Sequence, residues 1–143
     1  MRVKTNQKLK AFFIAMSLMA ISSCSFTRGK GLAEAAVAQF HQQNNSGQFR
    51  EIYNQADEEF KKTGDEAGAV KFFEAMRRKL GTVKQANQTG WYVQATPRGT
   101  LVTLNYVVEF SEGKGTEKFV FRVIEEKAEL LSYRVDSPLL ITK

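Results

Sequence analysis

The feature that most constrains this chain is a single change of hydrophobic period at Gly81. Before it, apolar residues recur at helical spacing. After it, they alternate. A chain that switches once from period 3.6 to period 2 reads as helices followed by strands, an α+β arrangement.

Ala33, Ala36, Val37 and Phe40 form one stripe and predict a helix over about Leu32–Gln43. Asn44-Asn45-Ser46-Gly47 ends it, and Ser46 suits the cap of a second, shorter helix. Phe49, Ile52, Tyr53 and Ala56 give that helix its inward face, continued by Phe60. Asp57 and Glu58 stand four residues before Lys61 and Lys62, the favourable acid-before-base order. Thr63-Gly64-Asp65-Glu66 fits a capping box with Thr63 at the cap of a third helix. Ala69, Phe72, Phe73, Met76 and Leu80 make its stripe. Arg77, Arg78 and Lys79 fall in its last turn, where the dipole favours cations, and Gly81 supplies a left-handed stop.

Four strands follow. Val83–Gln94 is the first, turned by Thr96-Pro97-Arg98-Gly99. Thr100–Phe110 has Val102, Leu104, Tyr106, Val108 and Phe110 on one face. Glu112-Gly113-Lys114-Gly115 turns the chain into Thr116–Ile124, with Phe119, Phe121 and Val123 aligned. Glu125-Glu126-Lys127 leads into Ala128–Asp136, with Leu131, Tyr133 and Val135 aligned. Short connections predict antiparallel neighbours, so three N-terminal helices should pack on a four-stranded antiparallel meander.

The N-terminal region has a different character. Arg2, Lys4, Lys8 and Lys10 precede an apolar run, and no acid appears before Glu34. Ala11–Ile21 is 11 residues. As a helix it would cover roughly 16 Å against ~30 Å of hydrocarbon, too short to span and suited to an export signal. Ile21-Ser22-Ser23-Cys24 resembles the bacterial lipobox. The resemblance implies cleavage between Ser23 and Cys24, with acyl chains on Cys24 holding the chain to a membrane. Two or more such chains anchor stably. Ser25 in place of aspartate implies sorting to the outer membrane, as in lipoproteins of enteric-type bacteria. The expected organisation is a signal over 1–23, a lipidated cysteine and tether over 24–31, and one α+β domain over 32–143.

Charge argues against genomic partners. Of 21 Lys and Arg, four lie in residues 1–23, leaving 17 against 15 acids. The basic balance belongs largely to the signal and does not point to nucleic acid. Cys24 is the sole cysteine, so no internal disulfide can form.

The order and size of these elements resemble the cone-shaped NTF2-like fold, with the cystatin-like fold as the near alternative. Phe49, Ile52-Tyr53, Ala56 and Phe60, then Phe73 with Arg77-Arg78-Lys79-Leu80-Gly81, resemble the pattern of domain-of-unknown-function family 4019. The likeness covers about Leu32–Asp136 and implies a lipid-anchored or secreted envelope protein. It carries no catalytic residue.

Candidate sites are few. His41, the sole histidine, reads as a solvent-facing helix-end residue, without partners for a zinc site or a Ser-His-Asp triad. Asp57-Glu58-Glu59 lacks the spacing of a calcium loop and reads as a solvated helix face. Arg77, Arg78 and Lys79 read either as helix-end charge complementarity or as a contact for an anionic surface. Trp91, Tyr106, Phe119, Phe121 and Tyr133, with Tyr92 nearby, read either as core or as the lining of an apolar pocket. Tyr133 and Asp136 are the one pair placed for acid–base work. No catalytic motif, metal set or cofactor motif emerges. The expected role is a binding module for an envelope protein or a glycan, with a carrier of a small apolar ligand as the alternative and an enzyme as the third reading.

Overall fold

The computed structural model describes residues 20–142, with side chains from Phe26 onward. The basic start and apolar run before residue 20, and the side chains of Ile21–Cys24, lie outside the described residues. The elements in order are α1 (Ala20–Asn45), α2 (Phe49–Asn54), α3 (Glu58–Lys61), α4 (Glu66–Leu80), β1 (Val83–Thr96), β2 (Gly99–Phe110), β3 (Gly113–Ile124) and β4 (Lys127–Asp136). A 3₁₀ turn, Pro138–Leu140, follows. The sheet is a four-stranded antiparallel meander in the order β1-β2-β3-β4, with the helices packed on it. The chain therefore has the expected α+β architecture.

The helical half differs from expectation in three places. First, α1 begins well before Leu32, so the stretch 25–31 read as a tether is helical. Within that stretch Gly29 lies against Val102 and Thr100 of β2. Second, the expected second helix divides at Gln55–Asp57. Its N-cap is Gln48, which offers no side-chain bond, and Ser46 instead returns its hydroxyl to the Gln42 carbonyl. Asp57 then caps α3 by accepting from Glu59 N at 2.8 Å. Third, α4 is capped by Asp65, which accepts from Gly68 N at 2.8 Å. Thr63 turns back and donates to the Phe60 carbonyl. A carboxylate also suits the positive helix N-terminus better than a hydroxyl does.

The core lies between the helices and one sheet face. Helix α1 crosses all four strands and buries Ala33, Val37 and Phe40 against them. Helix α4 packs on α2 and adds Phe73, Met76 and Leu80. From the sheet come Val102, Leu104, Tyr106, Val108 and Phe110 of β2, facing Phe121, Phe119 and Glu117 of β3 across the register. Each large apolar side chain buried here stabilises the fold by about 1.5–3 kcal/mol. Asn45 fastens α1 to the sheet like a strand partner: its amide donates to Val83 O and accepts from Val83 N.

The acidic run Asp57-Glu58-Glu59 is not a solvated face. Asp57 N donates to Leu130 O on the edge of β4, and its carboxylate is buried beside Arg122. Arg122 Nε stands 2.8 Å from Asp57 Oδ2, an ion pair whose N–H points off the oxygen rather than along a hydrogen bond. Glu59 lies 3.2 Å from Arg122 and also holds Arg98 of the β1–β2 turn. Only Glu58 keeps a helical pair, with Lys61. Among the described residues no helix is long and apolar enough to cross a membrane.

Candidate functional site

Two polar assemblies stand out, one buried and one open. The buried one begins with Glu117. Strand β3 alternates Gly113, Gly115, Glu117, Phe119 and Phe121 toward the core, so this carboxylate occupies an interior position and is 2 % exposed. An ionised carboxylate only accepts, and it needs donors on both oxygens. Tyr133 donates to Oε1 at 2.7 Å, and His41 Nε2 donates to Oε2 at 2.6 Å. The Tyr133 oxygen also lies 3.3 Å from Met76 Sδ on α4. One carboxylate thus joins α1, β3 and β4, with α4 alongside.

His41 is consequently not a solvent-facing helix end. It packs edge-on against Phe40, Tyr106 and Phe119. Burial pushes the Tyr133 phenol well above its ordinary range, and the charge and hydrogen bond of Glu117 add to the effect. Tyr106 is pushed up to about 12, first by burial and then by the charges of Glu34 and Glu117. Both phenols therefore stay neutral, and Tyr133 remains a donor. Both oxygens of Glu117 are engaged by donors from other elements, so this buried chain ties the fold together.

The pairing of Tyr133 with Asp136 does not occur. Tyr133 turns inward to Glu117, while Asp136 is exposed and holds Arg134 at 2.9 Å. Among the described residues the aromatic set packs ring on ring or faces solvent. Phe119 is fully buried, with ring centroids 5.1 Å from Phe40 and 5.0 Å from Tyr133, and it stacks on Phe121. Trp91 shares the core-side face of the sheet through its partner Leu104, but lies near the edge, 58 % exposed, with the Lys30 ammonium over its ring. Tyr92 is exposed on the opposite face, across from Thr103. Among the described residues, the void beneath α1 beside Phe40, Ile52, Phe121 and Leu130 is about 40 Å³.

The open assembly is a surface groove of about 390 Å³ where α4 ends, lined by Phe49, Glu74, Arg77, Arg78, Gly81, Thr82 and Ser111. Gly81 holds φ +79° and ψ −155°, a backbone region reserved for glycine and more extended than the left-handed stop expected there. A Cβ at Gly81 would meet Ser111 Oγ at 1.8 Å. Ser111 and Thr82 lock this approach: Ser111 N donates to Thr82 O at 2.8 Å, and Thr82 N donates to Ser111 Oγ at 3.0 Å. Of the basic triplet, Arg77 and Arg78 reach the groove. Lys79 turns the other way and donates to Leu140 O at 3.0 Å. A second groove of about 340 Å³ runs beside Asn105, Thr116, Lys118 and Arg134, whose guanidinium Asp136 already holds.

Glu117, Thr82 and Ser111 escaped the sequence reading. Glu117 had one signal, since counting back from Phe121 and Phe119 by twos lands on it. Ser111 had none, because its place beside Gly81 depends on the β2–β3 turn returning to the end of α4. No protein-family model matches the chain, and no curated protein matches it significantly.

Proposed function

We propose that this chain is a lipid-anchored envelope protein whose single α+β domain is a surface binding module for a protein or glycan partner. Acyl chains on Cys24 would hold it to a membrane, by preference the outer membrane, and residues 1–23 would be removed. The observation that carries the binding-module reading is the filled interior. Phe40, Phe73, Phe119 and Tyr133 pack ring against ring, and the void beneath α1 is about 40 Å³. A pocket for a drug-sized ligand occupies ~300–1,000 Å³. Binding is thereby directed to the surface and away from an interior carrier site. No catalytic role is assigned, since both buried acids among the described residues are engaged within the fold, Glu117 by His41 and Tyr133 and Asp57 by Arg122 and Glu59 N.

Helix α1 also sets what such a module would present. Residues 24 and 45 lie 21 positions apart on one helix, or about 32 Å at ~1.5 Å per residue. The Arg77 guanidinium lies beside Gly47, just past the end of α1 remote from Cys24. The basic groove would therefore be carried away from the anchored end. The test is to fractionate cells producing the native chain and Cys24→Ala, and to extract the purified native protein for bound small molecules. The expected result is membrane association lost in the variant and no stoichiometric apolar ligand. An unchanged distribution would refute the anchor, and a co-purifying apolar molecule at one per chain would refute the surface-module reading.

A further inference from the structure

Arg77 and Arg78 differ from the other described arginines. Arg28, Arg50, Arg98, Arg122 and Arg134 each hold a carboxylate. Among the described residues neither Arg77 nor Arg78 forms an ion pair, although Glu74 lines the same groove one turn earlier.

Helix-end complementarity accounts for cations near the last turn. It does not account for this groove. Two of the terminal carbonyls of α4 are satisfied by backbone: Arg77 O accepts from Gly81 N at 2.8 Å, and Leu80 O accepts from Glu112 N at 3.1 Å. The opposite wall is fixed, because Gly81 and Ser111 touch and Thr82 and Ser111 bond reciprocally. Ser111 Oγ already accepts from Thr82 N, which leaves its own proton to donate outward. Gly47, at φ +75°, brings the α1–α2 turn close to Arg77, with a Cβ position only 3.6 Å from a guanidinium nitrogen. The groove thus offers two planar cations and a hydroxyl donor, with one carboxylate acceptor beside them.

We infer that this groove binds a phosphate ester bearing neighbouring hydroxyls. The guanidinium groups of Arg77 and Arg78 and the Ser111 hydroxyl take the phosphate oxygens, and Glu74 accepts from a ligand hydroxyl. Guanidinium donors match the spacing of phosphate oxygens and bind them in pairs. Glu74 opposes a bare phosphate dianion and favours an ester whose polyol part can donate. At about 390 Å³ the groove admits a glycerol- or sugar-sized ester. The same chemistry occurs in a free ester and in a phospholipid headgroup. This inference deepens the binding-module reading and rests on it. Its failure would leave Cys24 anchoring and the filled interior untouched.

The test uses the full chain carrying Cys24→Ala, titrated at constant ionic strength with glycerol 3-phosphate, with inorganic phosphate, and with vesicles of phosphatidylglycerol or phosphatidylcholine. Glycerol 3-phosphate should bind saturably and several-fold more tightly than inorganic phosphate. Arg77→Ala with Arg78→Ala should weaken it about tenfold or more, the loss typical of hydrogen bonds to charged groups. Glu74→Gln should narrow the gap between ester and inorganic phosphate. Binding to phosphatidylglycerol vesicles that is lost in the double variant, without saturation by the free ester, supports the site and assigns its ligand to the headgroup. Urea midpoints measured alongside separate loss of the site from loss of the fold. Affinities unchanged in the correctly folded double variant, or no binding in any arm, would overturn the inference.

Discussion

The buried chain His41–Glu117–Tyr133 and the open groove at Arg77 and Arg78 are opposite solutions for polar side chains. In the first, both oxygens of the carboxylate meet a donor at 2.6–2.7 Å, and water is excluded. In the second, Arg77 and Arg78 line an open groove with no ion pair among the described residues, while two of the neighbouring helix-end carbonyls are bonded by backbone. A saturated interior group serves the fold, and an unsaturated surface group is available to a ligand. The same contrast separates Arg122, held by Asp57 and Glu59, from Arg78.

The contrast is sharpest where stability is measured. Glu117→Ala should cost the most, about 3–5 kcal/mol in urea unfolding, because it strands buried donors and opens a cavity. Arg122→Ala belongs in the same range, since Asp57 would be left buried without its cation. Tyr133→Phe should cost about 1–3 kcal/mol, the penalty for removing one donor from a buried carboxylate. This variant also changes the pH profile. The folded protein holds the Tyr133 proton more tightly than the unfolded chain, whose phenol titrates near 10. Stability is therefore complete below pH 10 and declines as the pH rises above it. Tyr133→Phe should lessen that alkaline decline, and Tyr106, at about 12, should account for part of what remains. A decline of equal steepness in the variant would remove Tyr133 from the explanation. The smallest effect belongs to Arg77→Ala with Arg78→Ala, within about 0.5 kcal/mol of the parent, as for surface positions without partners. A loss as large as that of Glu117→Ala would erase the distinction between the two assemblies.

Much of the fold was legible because its signals are local. The alternation in β2 and β3 and the stripe of α4 name the core residues directly, and Gly81 marks the boundary between the two halves. Local signals failed where a distant contact decides. Ser25–Gly31 contains two glycines and few apolar side chains, yet it is helical, and Gly29 lies against β2. Asp57 reads as one of three exposed acids until Arg122, 65 positions later, folds over it. The buried chain was less legible still, since His41 and Glu117 are 76 residues apart. Tyr133 stands out in the sequence, but its partner is Glu117 on the neighbouring strand β3 and not Asp136, three positions away in sequence. The basic end of α4 was visible as composition. Its division, with Arg77 and Arg78 in the groove and Lys79 turned to Leu140, is a matter of helix rotation that composition does not carry.

The most direct test of a filled interior with an open, cationic surface is the affinity of the full chain for glycerol 3-phosphate, compared at constant ionic strength with that of its Arg77→Ala, Arg78→Ala counterpart. A drop of about tenfold or more, with the urea midpoint held, is the expected result. Equal affinity in the two proteins would contradict it.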